Sequence, residues 1–279
     1  MQIITDPTQM QRLSREIHRG GKRLGFVPTM GALHAGHISL VKTARQQCDV
    51  VAASIFVNPL QFGPTEDFSK YPRTFERDCE MLTAEGVAYL FAPTKETMYP
   101  ADAKTIVEVH DISDKLDGVS RPGHFKGVTT VVAKLFNIVQ PDRAFFGQKD
   151  AAQVAIIRRM VRDLNMDVEI VVCPIVREPD GLALSSRNTY LDPQQRKQAL
   201  VLSRTLNRIH YEYDRGERNA SALIQIGKQV VAEEPGAKLD YLEIVDRDSL
   251  DPVESVSHGA LVAIAAWVGT TRLIDNLLL

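Results

Sequence analysis

Cysteine is scarce in these 279 residues: Cys48, Cys79 and Cys173 are odd in number, widely spaced and free of any C-x-x-C pair. That excludes a disulfide framework and a zinc site of familiar spacing, and leaves buried thiols in a reducing compartment as the expectation. Long apolar runs are missing as well. The longest, Ala260 to Val268, is about half of the roughly 20 residues that a membrane-spanning helix needs, and reads as a buried strand. The opening segment Met1-Gln2-Ile3-Ile4-Thr5-Asp6 has no basic stretch followed by an apolar core, so no secretion signal is expected and the chain is placed in the cytoplasm. Charge of one sign is not in excess: 33 Lys and Arg face 35 Asp and Glu, a formal charge of -2. Without a net basic field, nucleic-acid and membrane partners are disfavoured.

What is present is material for a full core, with 44% hydrophobic and 24% charged residues, at a length that suits a main domain plus an appendage. Apolar runs alternate with amphipathic segments through the first two thirds, the pattern of parallel strands joined by helical crossovers. Strands are expected at Leu24 to Val27, Val50 to Val57, Val87 to Ala92, Ile106 to Val109, Ala144 to Phe146 and Val168 to Val176. Helices are expected at His34 to Gln47, Thr74 to Glu85, Val128 to Val139 and Asp150 to Leu164, each with apolar residues at core-facing spacing. Beyond Val176 the pattern changes to helices at Pro193 to Tyr213 and Ala220 to Glu233, with strands at Tyr241 to Val245 and Leu261 to Val268. The class is therefore α/β: a parallel sheet with flanking helices over residues 1–176, and a smaller α+β C-terminal domain over residues 177–279.

In an open parallel sheet, ligands bind beyond the carboxyl ends of the strands, where the loops after Val27, Val57, Phe146 and Val176 fall. His34-Ala35-Gly36-His37 puts two imidazoles on one face of the first turn of a helix, and Gly36 lets a phosphate or a flat base approach the backbone. The helix N-terminus adds free N–H groups and positive potential, so chemistry at a nucleotide's α-phosphate is the leading reading. A metal pair and a purely structural helix cap are its rivals. Lys149 and Asp150 open another helix, with a cation for phosphate and a carboxylate for ribose or magnesium, although exposed helix starts often look the same. Ser185-Ser186-Arg187-Asn188 combines hydroxyls and a guanidinium suited to a pyrophosphate, or forms a plain inter-domain turn. Asn58, Gln61 and Gln153 bring amides that orient a small polar substrate. Arg121 and His124 flank Gly123 in a loop that either closes over the site or is a surface turn.

The tetrapeptide His34 to His37 resembles the H-x-G-H signature of the nucleotidylyl transferase superfamily. The longer segments PTMGALHAGHISLV, FVNPLQFGPTEDFSKYPRT, SRPGHFKGV, FFGQKDAAQ and LSSRN, in this order, are similar to those of the pantothenate synthetase family over nearly the entire chain. The resemblance implies a Rossmann-like N-terminal domain, a C-terminal domain that folds over the active site, and a cytoplasmic homodimer. It implies an AMP-forming ligase that joins (R)-pantoate to β-alanine with ATP, through a pantoyl-adenylate. By resemblance the ATP site comprises Met30, Gly31, Ala32, Leu33, His34, Ala35, Gly36, His37, Gly147, Gln148, Lys149, Asp150, Val176, Leu184, Ser185, Ser186 and Arg187. His37 is the implied proton donor, His34, Lys149 and Arg187 share the catalytic set, and Gln61 and Gln153 match the pantoate contacts. Mg2+ is implied with ATP; Asp78 and Asp150 are candidates for it by position and type only, so its ligands stay open. The alternative is another adenylyltransferase or adenylate-forming ligase of the same superfamily.

Overall fold

The protein is described by a computed structural model for residues 1–64 and 66–279, Asp67 by its backbone alone; Thr65, within the segment Phe56 to Thr74, lies outside the described residues. Six strands, β1 (Gln2–Ile4), β2 (Leu24–Thr29), β3 (Val50–Ile55), β4 (Tyr89–Phe91), β5 (Arg143–Gly147) and β6 (Glu169–Cys173), form one sheet in the order β1-β4-β3-β2-β5-β6. Every pairing in it is parallel. Three more, β7 (Ala237–Val245), β8 (Leu261–Val268) and β9 (Thr271–Leu278), make a smaller antiparallel sheet with a register break between Leu239 and Tyr241.

Residue alternation along the strands explains why helices cover both faces of the large sheet. Leu24, Phe26, Ala52, Phe91, Ala144 and Phe146 join Met10, Phe125, Ile156 and Ile157 in one core. Their neighbours Val27, Val51, Ala53, Leu90 and Phe145 point the other way, onto Leu40, Val41, Ala44 and Leu82. A period of two with both faces apolar is what a sheet buried on both sides requires. A third core, built on Leu206, Ile209, Leu223, Leu242 and Ile264, belongs to the smaller sheet and its helices.

Strand order fixes where a ligand can enter. The chain leaves β2 through the helix Ala35–Gln47 toward β3 on one side, and leaves β5 through the helix Ala151–Asp163 toward β6 on the other. β2 and β5 are neighbours, so their carboxyl ends flank the switch point, where an open α/β sheet leaves a crevice.

Several elements differ from the sequence reading. Ile106 to Val109 is not a strand. The Val107 N–H donates to Thr130 Oγ1 at 3.0 Å and its carbonyl accepts from Thr129 Oγ1 at 2.6 Å, so helix hydroxyls replace a strand partner. The helix expected from Val128 begins at His124, so the supposed loop residues His124 to Gly127 form its first turn. Leu200 divides the long helix into Pro193–Ala199 and Val201–Asp214. Cys173 alone is buried, while Cys48 and Cys79 are half-buried; all three are free thiols. β1, the helix Pro7–Arg19 and β9 have no counterpart in the sequence reading.

Gly127 shows how tightly the elements around the crevice are set. A Cβ there would lie 2.3 Å from the carbonyl oxygen of Leu60, because the short helix Pro59–Gln61 rests directly on this turn. In an open helix Gly to Ala would stabilise by about 0.5–1 kcal/mol. Here overpacking against backbone wins, and Gly127→Ala is expected to lose about 1–3 kcal/mol. Urea unfolding should show a lower midpoint with unchanged slope; an unchanged or raised midpoint would contradict the contact.

Candidate active site

The loop after β2 reaches the crevice in a costly conformation. Gly31 and the non-glycine Ala32 both have positive φ, 79° and 50°, and Ala32 in that region is strained by about 1–2 kcal/mol. A buried carboxylate offsets the cost. Asp78, on the helix Phe75–Ala84, accepts from the Ala32 N–H (2.9 Å), the Leu33 N–H (2.9 Å) and the Thr74 hydroxyl (3.0 Å). Leu33 is driven into the core beneath. Asp78 is thus consumed as a clamp, a role that sequence position did not reveal.

The clamped loop delivers His34 as the cap of the helix Ala35–Gln47. His34 Nδ1 accepts from the Gly36 N–H at 3.1 Å, and His37 Nδ1 accepts from the His34 N–H at 3.3 Å, a reciprocal box made of two imidazoles. It performs the work usually left to Ser and Glu at a helix start. An Nδ1 that accepts from an amide carries no hydrogen, so a neutral ring must carry it on Nε2. Burial, with the nearby Lys149 charge, lowers the His34 pKa to about 4. Burial, with repulsion from His34, lowers His37 to about 3. Ring centroids stand 4.1 Å apart, close enough for two charged rings to repel. Both imidazoles are consequently neutral Nε2–H donors near pH 7. Gly36 is required between them, since a Cβ would sit 2.8 Å from His34 Cε1.

The loop after β5 forms the second wall. Lys149 and Asp150 line the crevice, their charged ends 3.6 Å apart, with Gln153 one turn into the following helix. The third wall comes from a folded-back segment after β6: Arg177 bridges Ala183, the Leu184 N–H donates to the Val176 carbonyl at 3.0 Å, and Gly181 takes the turn at φ 95°. This fold places Val176 and Leu184 side by side and carries Ser185, Ser186 and Arg187 to the rim. Tyr71 closes that side, its hydroxyl 3.4 Å from Ser186 Oγ.

The fourth wall is a network of amides. Asn58 Nδ2 donates to Gln61 Oε1 (3.0 Å) and to the Gly127 carbonyl (3.0 Å), while Asn58 Oδ1 accepts from the Tyr99 hydroxyl (2.8 Å). Gln61 Nε2 is left against Met30 Sδ at 3.1 Å, a weak acceptor that a better one can displace. His124 Nδ1 donates to the Gln61 carbonyl at 2.8 Å, and its Nε2 accepts from Arg121 at 3.0 Å. Burial and the Arg121 charge lower its pKa to about 4. Arg121 also grips Glu66 through two bonds, of 2.9 and 2.6 Å. Arg121 and His124 therefore brace the loop after β3 and are not a free surface turn.

One crevice is lined by Met30, His34, Gly36, His37, Asn58, Gln61, Gly147, Lys149, Asp150, Gln153, Val176, Leu184, Ser185, Ser186 and Arg187. Gly31, Ala32 and Leu33 lie behind it in the Asp78 clamp, and Ala35 is exposed on the helix. Gln148 turns away to donate to Asn276 of β9 at 3.0 Å. Tyr71 and Asn276 escape a sequence reading as contributors, and Asp78 is named there only as a magnesium candidate, because each acts across a long sequence separation.

Comparison with known proteins agrees over the whole length. A family model described as pantoate-beta-alanine ligase matches residues 2–278. A Koribacter versatilis protein named pantothenate synthetase is 62% identical over 279 residues, covering 100% of this chain and 96% of that protein. The pantothenate synthetase structure from Thermus thermophilus has a TM-score of 0.94 and 45% identity, covering 99% of each chain. A Francisella tularensis pantoate-beta-alanine ligase, solved with beta-gamma ATP and beta-alanine, has a TM-score of 0.77 and 36% identity, covering 100% of this chain and 97% of that one.

Two outcomes follow from the geometry. Asp78→Ala strands two backbone N–H groups, at about 1–3 kcal/mol each where water cannot replace the carboxylate. Chemical unfolding should register the loss, and a variant as stable as the parent would remove Asp78 from this role. The histidine pKa values set the pH response. His34, His37 and His124 are lowered in the folded state, so between pH 6.5 and about 3 the unfolded chain binds more protons. Their contribution to stability is full above about pH 6.5 and is lost as pH falls through this window. Replacing His124 by Asn should flatten the slope of melting temperature against pH; an unchanged slope would contradict its neutral burial.

Proposed function

The chain belongs to the pantoate-beta-alanine ligase family, and from that premise we propose how its crevice carries out the reaction. The enzyme condenses pantoate with β-alanine in an ATP-dependent reaction that forms pantothenate. In our reading a pantoate carboxylate oxygen attacks the α-phosphorus of ATP, the bond to the bridging oxygen breaks, and pyrophosphate leaves. The β-alanine amine then attacks the acyl carbon of the pantoyl-adenylate, a proton leaves the nitrogen, and AMP departs with the electron pair of the broken bond.

The observation that carries this reading is the pair of neutral imidazoles, both with Nδ1 satisfied by backbone, at the switch point opposite Lys149 and Arg187. Negative charge grows on the phosphate oxygens during attack, and donors already fixed in place stabilise it without reorganising. His34 and His37 are such donors through Nε2–H. A proton-donor role for His37, implied by the resemblance, does not suit a ring held neutral by burial; in this reading it donates a hydrogen bond and keeps its proton. Lys149 and Arg187 balance the phosphate charge, and Ser185 and Ser186 supply hydroxyls. Gln61 exchanges its weak Met30 contact for a pantoate oxygen, with Gln153 beside it. Holding two substrates in one crevice supplies the orientation that the amide-forming step needs.

Mg2+ enters as part of the proposal. Asp78 does not fit it, because its oxygens already serve Ala32, Leu33 and Thr74. Asp150 fits, since its side chain is half exposed beside the crevice and magnesium commonly takes one carboxylate together with substrate phosphates. When bound, the ion would neutralise phosphate charge. Among the described residues no group of three or more His, Cys, Asp or Glu is arranged to hold a metal, which suits an ion delivered with the nucleotide.

We also propose residues 1–176 as the nucleotide- and pantoate-binding domain and residues 177–279 as the domain that closes over it, supported by contacts of β9 with the Lys149 turn. A homodimer working in the cytoplasm completes the reading, on the strength of the family resemblance. No described helix is long and apolar enough to cross a membrane.

Pantoate should drive exchange of labelled pyrophosphate into ATP, with AMP released only once β-alanine is added. Exchange with other acids but not with pantoate would reject this order of steps. His37→Ala removes one fixed donor and is expected to lower the exchange rate by about 10²–10³-fold; full activity in that variant would overturn the transition-state role.

A further inference from the structure

The turn that carries Lys149 is held by a residue far along the chain, Asn276, which stands 128 positions after Gln148 and 127 after Lys149. Asn276 lies in β9, opposite Ala263 of β8, and is 3% exposed. Its Nδ2 donates to the Gln148 carbonyl at 2.9 Å and to the Lys149 carbonyl at 2.8 Å. Its Oδ1 accepts from Gln148 Nε2 at 3.0 Å. Carbonyls only accept, so the amide orientation is forced, and both hydrogens of Nδ2 are spent on successive peptide units of one short turn.

The neighbours of Asn276 tie the same strand down. Asp275 receives both arms of Arg177, at 2.6 and 2.9 Å. Arg272 reaches Asp117 at 2.7 Å and Asp240 at 2.8 Å. Of these pairs only Arg272–Asp117 joins the smaller sheet to residues 1–176, while Arg177–Asp275 ties it to the segment after β6; Asp275 Oδ1 also accepts from the Asn276 N–H at 2.8 Å. Asn276 differs from them in that its bonds end on the backbone beside a crevice residue.

We infer that Asn276 is a positioning residue: from the smaller sheet it seats the Gln148–Lys149 backbone so that the Lys149 ammonium meets the phosphate charge of ATP. This rests on the role given to Lys149 above. Aspartate at this position would turn an anionic acceptor toward two carbonyl oxygens and release the turn, while alanine would merely empty the site. Misplacing a charged group by about 1 Å can cost up to about 100-fold in rate.

The test is a double-mutant cycle on full-length protein, reading pantoate-dependent pyrophosphate exchange at saturating substrate and well below the melting temperature. Asn276→Asp and Asn276→Ala are each combined with Lys149→Ala, and Asp117→Asn serves as a comparator that weakens docking through Arg272. Asn276→Asp is expected to lower kcat about 10–100-fold in the parent and to have little further effect once Lys149 is gone, because both changes remove one interaction. Asn276→Ala should behave likewise with a smaller loss, which keeps the test usable if the aspartate variant folds poorly. Asp117→Asn should lower the melting temperature with a much smaller change in kcat. Independent, multiplying effects of Asn276 and Lys149, or equal kcat losses in the Asn276 and Asp117 variants, would overturn the inference. A parent enzyme that shows no pantoate-dependent exchange, or a fully active Lys149→Ala, would instead overturn the functional reading, and the inference with it.

Discussion

Two imidazoles capping one helix by reciprocal bonds to each other's backbone turn are the constraint from which the rest of the site follows. Each ring gives its Nδ1 to an N–H group, His34 to Gly36 and His37 to His34. That choice fixes the tautomer, keeps both rings neutral where burial already disfavours charge, and leaves two Nε2–H groups as rigid donors. A helix start needs acceptors for its first N–H groups, and an anion site needs donors. Imidazole meets both needs at once because its two nitrogens can take opposite roles. Ser or Asp in the same places would cap the helix but offer no outward donor of this kind.

Such a cap functions only if the chain enters it at one angle, and distant residues see to that. Asp78 offsets the strain of positive φ at Ala32 by accepting from the Ala32 and Leu33 N–H groups. The parallel order of β2 and β5 brings the opposite wall to the same crevice end. The fold-back after β6 carries Arg187 to the rim, and the smaller sheet braces the Lys149 turn through β9. The groups that line the crevice thus sit on loops while the elements that orient them are buried, which is how a rigid scaffold confers precision on exposed side chains.

Much of this is legible in the sequence. Dense apolar strands such as Val50 to Ile55, with both faces buried, announce a parallel sheet, and loops at their carboxyl ends locate the crevice. Local signals fail where tertiary partners take over. Ile106 to Val109 has strand composition, yet Thr129 and Thr130 satisfy Val107 from a helix. β9 escapes notice because Arg272, Asp275 and Asn276 interrupt its apolar pattern, and those residues bind outside the small sheet, to Asp117, Arg177 and the Gln148–Lys149 turn. His124 looks like a loop residue after Gly123, but it is the buried start of a helix whose ring pins the Gln61 carbonyl. The histidine pair is visible as a motif; the bonds that make it neutral are not, since they depend on backbone geometry.

The direct test is nitrogen NMR of ¹⁵N-histidine-labelled protein, with His34 and His37 assigned through single His→Asn variants. Both rings should show an unprotonated Nδ1 and a protonated Nε2, without titrating from pH 8 down to about 5. His124, whose Nδ1 donates to Gln61, should show the opposite tautomer and serve as an internal reference. Protonated Nδ1 atoms on His34 and His37, or a titration midpoint near the ordinary 6.5 for either ring, would contradict the neutral-donor site.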